Sequence, residues 1–214
     1  MEKRTIFWDA DTQYDFMMPD GKLYMEGADQ IIPAVSEVRA MALDHGCSII
    51  ASQDWHSMDN PEISETPDRK TTFPPHCVAG TPGAQRVGYL GTLPIDYIDF
   101  EPRNPAELEE LVLAEQFHIV IRKEAISVFS NPNTARLVEL AAPGRIFVFG
   151  VALDVCVEDT LRGLARFPGI QLSLIRDATK GMGIKPDQQV LNDLQSMGIE
   201  IIESSLVHEM VPCG

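Results

Sequence analysis

Three residues of this chain have side chains that together could break an acyl bond: Asp11, Lys123 and Cys156. Cys156 follows the most hydrophobic run, residues 146–151, and opens a segment with helical periodicity. A thiol in the first turn of a helix feels the positive end of the helix dipole, which favours the nucleophilic thiolate. Asp154 is the expected cap of that helix. Lys123 follows the run 118–121 and would favour the thiolate further. Asp11 follows the run 5–8 and could exchange a proton with the thiol. Each has a plainer reading alone: inert packing for Cys156, a surface lysine for Lys123, a solvated loop acid for Asp11. Their common place beyond a strand end favours the chemical one.

A second set could hold a divalent metal. Asp54 and His56 stand two apart after the run 47–51, and His76 follows two stiffening prolines, Pro74 and Pro75. Carboxylate plus imidazole suits zinc, iron or manganese. This spacing is weaker than paired C-x-x-C, and a pair of surface histidines is the alternative. Cys77 reads as packing, as do Met17, Met18 and Met25. His45, His118 and His208 lack ligand-type neighbours. Phe16, Phe73 and Phe129 flank the candidates and could wall a pocket for a flat ring.

The elements must bring these residues together. Continuous apolar runs alternate with amphipathic stretches at residues 28–45, 105–117, 133–142, 154–167 and 186–197. Gly144 is the expected stop of the third of these. Continuous rather than alternating runs belong to a parallel sheet covered on both faces. The expected fold is α/β: one domain over residues 1–214, three α/β/α layers, and a six-stranded parallel sheet. Ligands bind beyond the C-terminal strand ends of such sheets. Asp11, Asp54, Lys123, Cys156 and Asp177 then share one edge. Residues 57–103 show little periodicity and read as a long active-site loop.

Composition removes several classes. Of 214 residues, 17 are Lys or Arg and 32 Asp or Glu, a net charge of −15. Phosphate backbones and anionic membrane surfaces are held by clustered cations, so neither partner is expected. The hydrophobic fraction of 44% excludes global disorder. Four cysteines (Cys47, Cys77, Cys156, Cys213) are too few for a disulfide scaffold. No run approaches the roughly 18 apolar residues of a membrane span, and the N-terminus does not read as a signal peptide. A cytoplasmic chain with reduced thiols is expected.

Longer blocks carry a resemblance. Asp11-Thr12-Gln13-Tyr14-Asp15-Phe16 is similar to D-x-Q-N-D-F, and residues 21–28 to G-S-L-x-V-x-G-A. Asp54-Trp55-His56 matches D-x-H. Residues 73–84 resemble W-P-x-H-C-V-x-G-T-x-G-A, and residues 150–157 resemble G-I-A-T-D-x-C-V. By these blocks the chain resembles the isochorismatase-like cysteine hydrolases, and among them the nicotinamidases, from about Ile6 to Ile202. The resemblance implies a catalytic triad of Asp11, Lys123 and Cys156. It implies an oxyanion hole from the amides of Ala152 and Cys156, a cis Val151–Ala152 peptide bond, a divalent metal on Asp54, His56 and His76, and a homo-oligomer. The implied reaction is release of ammonia from a small aromatic or heterocyclic amide through a thioester. Tyr14 stands for the usual Asn and Phe73 for the usual Trp. Glu62 stands near a further metal-site His of many nicotinamidases and could replace it.

Two other readings compete. Asp9-Ala10-Asp11-Thr12 is similar to the D-x-D-x-T signature of haloacid-dehalogenase-like Mg²⁺ phosphatases, with its Thr one place early, Asp9 as nucleophile and Asp11 as acid/base. Ser52, Lys123 and Asp177 would then fill the other roles. That reading leaves the 73–84 and 150–157 blocks without a purpose. The third reading is a degenerate member that only binds a ligand.

Overall fold

The computed structural model describes residues 4–88 and 94–211. Cys213 lies outside the described residues. The apolar runs form strands β1 (Thr5–Ala10), β2 (Ser48–Asp54), β4 (His118–Lys123), β5 (Arg145–Val151), β6 (Gln171–Lys180) and β7 (Glu200–Ile202), with β3 (Asp96–Ile98) between β2 and β4 in sequence. All pairings between these strands are parallel, in the order β3-β4-β2-β1-β5-β6-β7.

The sheet therefore has seven strands among the described residues, not the expected six. The added strand, β3, lies within the segment read as loop. It is three residues long at the sheet edge and buries only Ile98, too little for periodicity to register. Strand β6 also runs past Ile175, where its apolar run ends. A register shift opposite Val148 and Gly150 lets it continue to Lys180, which the polar pair Arg176-Asp177 concealed.

Helices follow as α1 (Tyr14–Met17), α2 (Ile32–Asp44), α3 (Pro105–Leu113), α4 (Thr134–Ala141), α5 (Glu158–Leu164), α6 (Asp187–Ser196) and α7 (Ser204–Met210). Helix α3 starts as its sequence dictates: Asn104 accepts the Ala106 amide at 3.0 Å and Pro105 takes the first turn. Helix α4 stops on Ala142 in the left-handed region (φ 44°), not on Gly144, whose N–H donates to the Arg4 carbonyl at 2.8 Å.

Alternating residues of β1 supply both cores. Ile6 and Trp8 face the layer of α3 to α6, whereas Phe7 faces the layer holding α2 and α7. Both faces are thus covered and the central strands fully buried, the condition a parallel sheet requires. No helix among the described residues is long and apolar enough to cross a membrane. The chain passes from β1 to β2 on one side of the sheet and from β4 to β5 across to the other, so the strand order reverses around β1. A crevice forms at such a reversal.

Candidate active site

Four adjacent strands deliver the candidates to that crevice. Asp11 sits one residue past β1 with φ 46°. Asp54 and Lys123 end β2 and β4 and are register partners. Cys156 lies in a single π-helical turn, Leu153–Val157, between β5 and α5. Gly150 lets β5 enter this turn: a Cβ there would stand 2.1 Å from the Ala10 carbonyl oxygen. The Val151–Ala152 peptide bond is cis.

Lys123 is the hub. Its Nζ lies 3.0 Å from Asp11 Oδ2 and 3.6 Å from Cys156 Sγ, donates to the Ala125 carbonyl at 3.2 Å, and is paired with Asp54. Asp11 is wholly buried and Lys123 is 1% exposed. Burial opposes the Lys123 charge, but Asp11 and Asp54 outweigh it and hold the ammonium protonated well above its usual range. Asp54 shows the converse: Lys123 and the two histidines outweigh burial, and its carboxyl falls well below the usual range. For Asp11, burial prevails over Lys123 and the pKa is raised. Burial likewise pushes the Cys156 thiol well up, against the pull of Lys123. Burial thus opposes the thiolate that the helix end and Lys123 favour, and the thiol stands beside a carboxyl group whose own pKa is raised.

The second set also converges. Asp54 Oδ2 lies 3.5 Å from His56 Nε2 and 3.7 Å from His76 Nε2, and the three ligand atoms lie within 4.8 Å of one another. His76 Nδ1 is 2.8 Å from the Pro74 carbonyl, which places the proton on Nδ1 and leaves Nε2 bare. Both ring nitrogens of the fully buried His56 lack a hydrogen-bond partner. A buried carboxylate flanked by bare imidazole nitrogens fits a divalent metal.

Two residues quoted in the motifs, without a role derived for them, support this set. Gln13 grips the Asp54 backbone from both sides: its Oε1 accepts the Asp54 amide at 2.7 Å and its Nε2 donates to the Asp54 carbonyl at 2.8 Å. Asp15 accepts the Cys77 amide at 2.7 Å, next to His76, and a Cβ on Gly83 would overlap that carboxylate at 2.1 Å. Only the 13–15, 54–56 and 76–83 blocks together reveal this, since their partners lie about 40 to 70 residues apart.

Phe16 and Phe73 line the same cavity as Cys156. Phe129 does not. It stacks on Phe167 with ring centroids 6.0 Å apart, in the core on the opposite side of the sheet. Periodicity missed Leu23, Ile126, Val155 and Met182 as lining residues, and Met25, read as packing, is one too. Glu62 forms a wall, but its Oε1 accepts the Ile126 amide at 3.0 Å and it stands outside the Asp54, His56, His76 cluster.

Asp154 does not cap α5. Its carboxylate instead accepts the amides of Met182, Ile184 and Lys185 at 2.7, 2.6 and 3.0 Å. Cys77 is buried packing. The phosphatase roles come apart. Asp9 is fully buried beneath Arg39, Arg86 and Thr12, away from the cavity, and Asp177 accepts from the amide and hydroxyl of Ser204 at 2.8 and 2.6 Å.

The family model of the isochorismatase domain matches residues 7–205. The nicotinamidase/pyrazinamidase of Mycobacterium tuberculosis is 28% identical over 201 residues, 92% of this chain and 97% of that one. The structure of Pyrococcus horikoshii pyrazinamidase in complex with zinc superposes with a TM-score of 0.73 at 29% identity, covering 94% of this chain and 99% of that one. The pyrazinamidase/nicotinamidase of Streptococcus mutans gives 0.70 at 25% identity, covering 92% and 99%. With that match spanning both the Asp11 and the Cys156 ends of the crevice, this chain belongs to the isochorismatase family.

Proposed function

We propose that this chain hydrolyses a small heteroaromatic primary amide, nicotinamide or a near analogue, to the carboxylic acid and ammonia. The observation that carries this reading is the meeting of Asp11 and Cys156 on the buried ammonium of Lys123, with Cys156 lining a cavity walled by Phe16 and Phe73. Relatives named for nicotinamide and pyrazinamide hydrolysis support the substrate class.

Asp11 takes the proton from Cys156 Sγ, and sulfur attacks the amide carbonyl. Lys123 stabilises the thiolate as it forms and keeps Asp11 in place. The backbone N–H groups of Ala152 and Cys156 donate to the oxyanion. Asp11 passes its proton to the leaving nitrogen, the C–N bond breaks, and ammonia departs from a Cys156 thioester. Asp11 then accepts a proton from a water that adds to the thioester, and the acid leaves as the thiol is restored. A divalent metal on Asp54, His56 and His76, of which zinc suits the donor set and matches the Pyrococcus relative, would supply Lewis acidity toward substrate nitrogen or water.

The test is ammonia release from nicotinamide, pyrazinamide, carbamoyl and maleamate-type compounds, with bound metal assayed in parallel. The heteroaromatic amides are expected to turn over fastest. Ammonia release that survives in Cys156→Ala would overturn the thioester route.

A further inference from the structure

We infer that the enzyme has a second substrate subsite outside the catalytic cavity, which receives an apolar or aryl substituent carried on the ring edge remote from the carboxamide. This rests on the amidase reading above and extends its substrate class.

The catalytic cavity is small, about 20 Å³, far short of a cavity of about 150 Å³ that takes a benzene ring, so a ring is received only as the walls move. Directly outside lies a groove of about 390 Å³. The two share four lining residues, Leu23, Met25, Phe73 and Met182. Cys156 and the candidate metal ligands Asp54 and His76 line the inner cavity alone. A ring whose carboxamide sits at Cys156 therefore turns its far edge toward this shared partition.

The backbone of the partition is fixed. Asp154, in the turn that carries Cys156, holds the amides of Met182, Ile184 and Lys185. On the other side the Leu23 amide donates to the Asp15 carbonyl and the Met25 amide to the Phe16 carbonyl, both at 3.0 Å. Room must then come from side-chain rotation. Two of the four residues are methionines, the apolar side chains that re-pack most readily. Their rotation joins cavity and groove. Beyond them Ile184, 43% exposed, and Tyr24 add apolar lining, beside Glu26 and Arg69, whose charges are opposite. That chemistry suits an apolar or aryl group better than a charged one.

The experiment compares nicotinamide with 5-phenylpyridine-3-carboxamide. Turnover is measured on the metal-loaded wild type, Met182→Ala and Ile184→Trp. Binding of both amides is measured by calorimetry on the same three backgrounds carrying Cys156→Ala. The phenyl compound is expected to bind about tenfold tighter than nicotinamide, as burial of an apolar group predicts. Ile184→Trp, which fills the groove, should remove that advantage while changing nicotinamide turnover less than about twofold. Met182→Ala should raise kcat/KM for the phenyl compound relative to nicotinamide. Equal or weaker binding of the phenyl compound, unaffected by Ile184→Trp, overturns the subsite. If the phenyl compound binds tighter in an Ile184-dependent way but neither amide is hydrolysed by the wild type, the subsite stands and the amidase reading falls.

Discussion

Asp9 and Asp11 stand two residues apart on the same strand end, both wholly buried, with opposite electrostatic fates. Asp9 accepts from Arg39 Nε at 2.6 Å, Thr12 Oγ1 at 2.8 Å and Arg86. Burial alone would raise its pKa, but the two guanidiniums bring it down to about 2. Asp11 has one cation, shared with Asp54 and close to Cys156, and its pKa is raised. A buried carboxylate with more positive partners than it needs is a fixed charge that holds structure. One with too few has a raised affinity for a proton. The same side chain on the same strand keeps its charge or gains that affinity according to the cations around it.

This contrast can be broken by substitution. Asp11→Asn should lower kcat/KM by about 10⁴-fold, comparable to loss of one member of a hydrolase triad, with little change in unfolding temperature. Steady-state ammonia release and thermal unfolding on one preparation check both halves. Asp9→Asn should do the reverse. It strands two buried guanidiniums beside a neutral group, at a cost of about 3–5 kcal/mol in chemical denaturation, while the folded fraction stays active. Loss of turnover without loss of stability in Asp9→Asn would revive a catalytic role for that residue.

Smaller effects sharpen the comparison. His118 belongs to the Asp9 region, with its Nε2 3.1 Å from Arg86. Burial, then the Arg86 charge, lowers its pKa from 6.5 to about 3. Between these values the unfolded chain binds a proton that the folded chain refuses. The His118 contribution to stability is thus whole above pH 6.5 and shrinks as pH falls toward 3. Urea midpoints from pH 7 to pH 4 should drop, less steeply in His118→Gln. Smallest in stability is the metal: removal by a chelator should lower turnover and shift unfolding by a few degrees, about what 1 kcal/mol does in a domain of this size. His56→Ala should abolish the difference between apo and metal-loaded samples.

Much of this was legible in the chain. Buried parallel strands announce themselves by continuous apolar runs such as residues 146–151, and the polar residues that end them, Asp11, Asp54 and Lys123, are conspicuous because the runs are so apolar. The blocks around Asp54, His76 and Cys156 carry their family in their spacing. Strand β3 escaped because three edge residues with one buried side chain leave no pattern. Phe129 was misplaced because adjacency to site residues says nothing about which face of the sheet a ring takes. Asp154 looked like a helix cap because its true partners, 28 to 31 residues later, lie on a loop without periodicity.

The sequence by itself determined the alternation of strand and helix, the donor types and the strand ends at which they stand, since each depends on residues near in the chain. The tertiary structure decided which of two neighbouring aspartates has a lowered pKa and which a raised one, how far burial works against a Cys156 thiolate, and which methionines wall the cavity. Those depend on desolvation and on charges brought in by distant segments: Arg39 and Arg86 to Asp9, Lys123 to Asp11. Both fall off over a few ångströms in space, with no regard to distance along the chain.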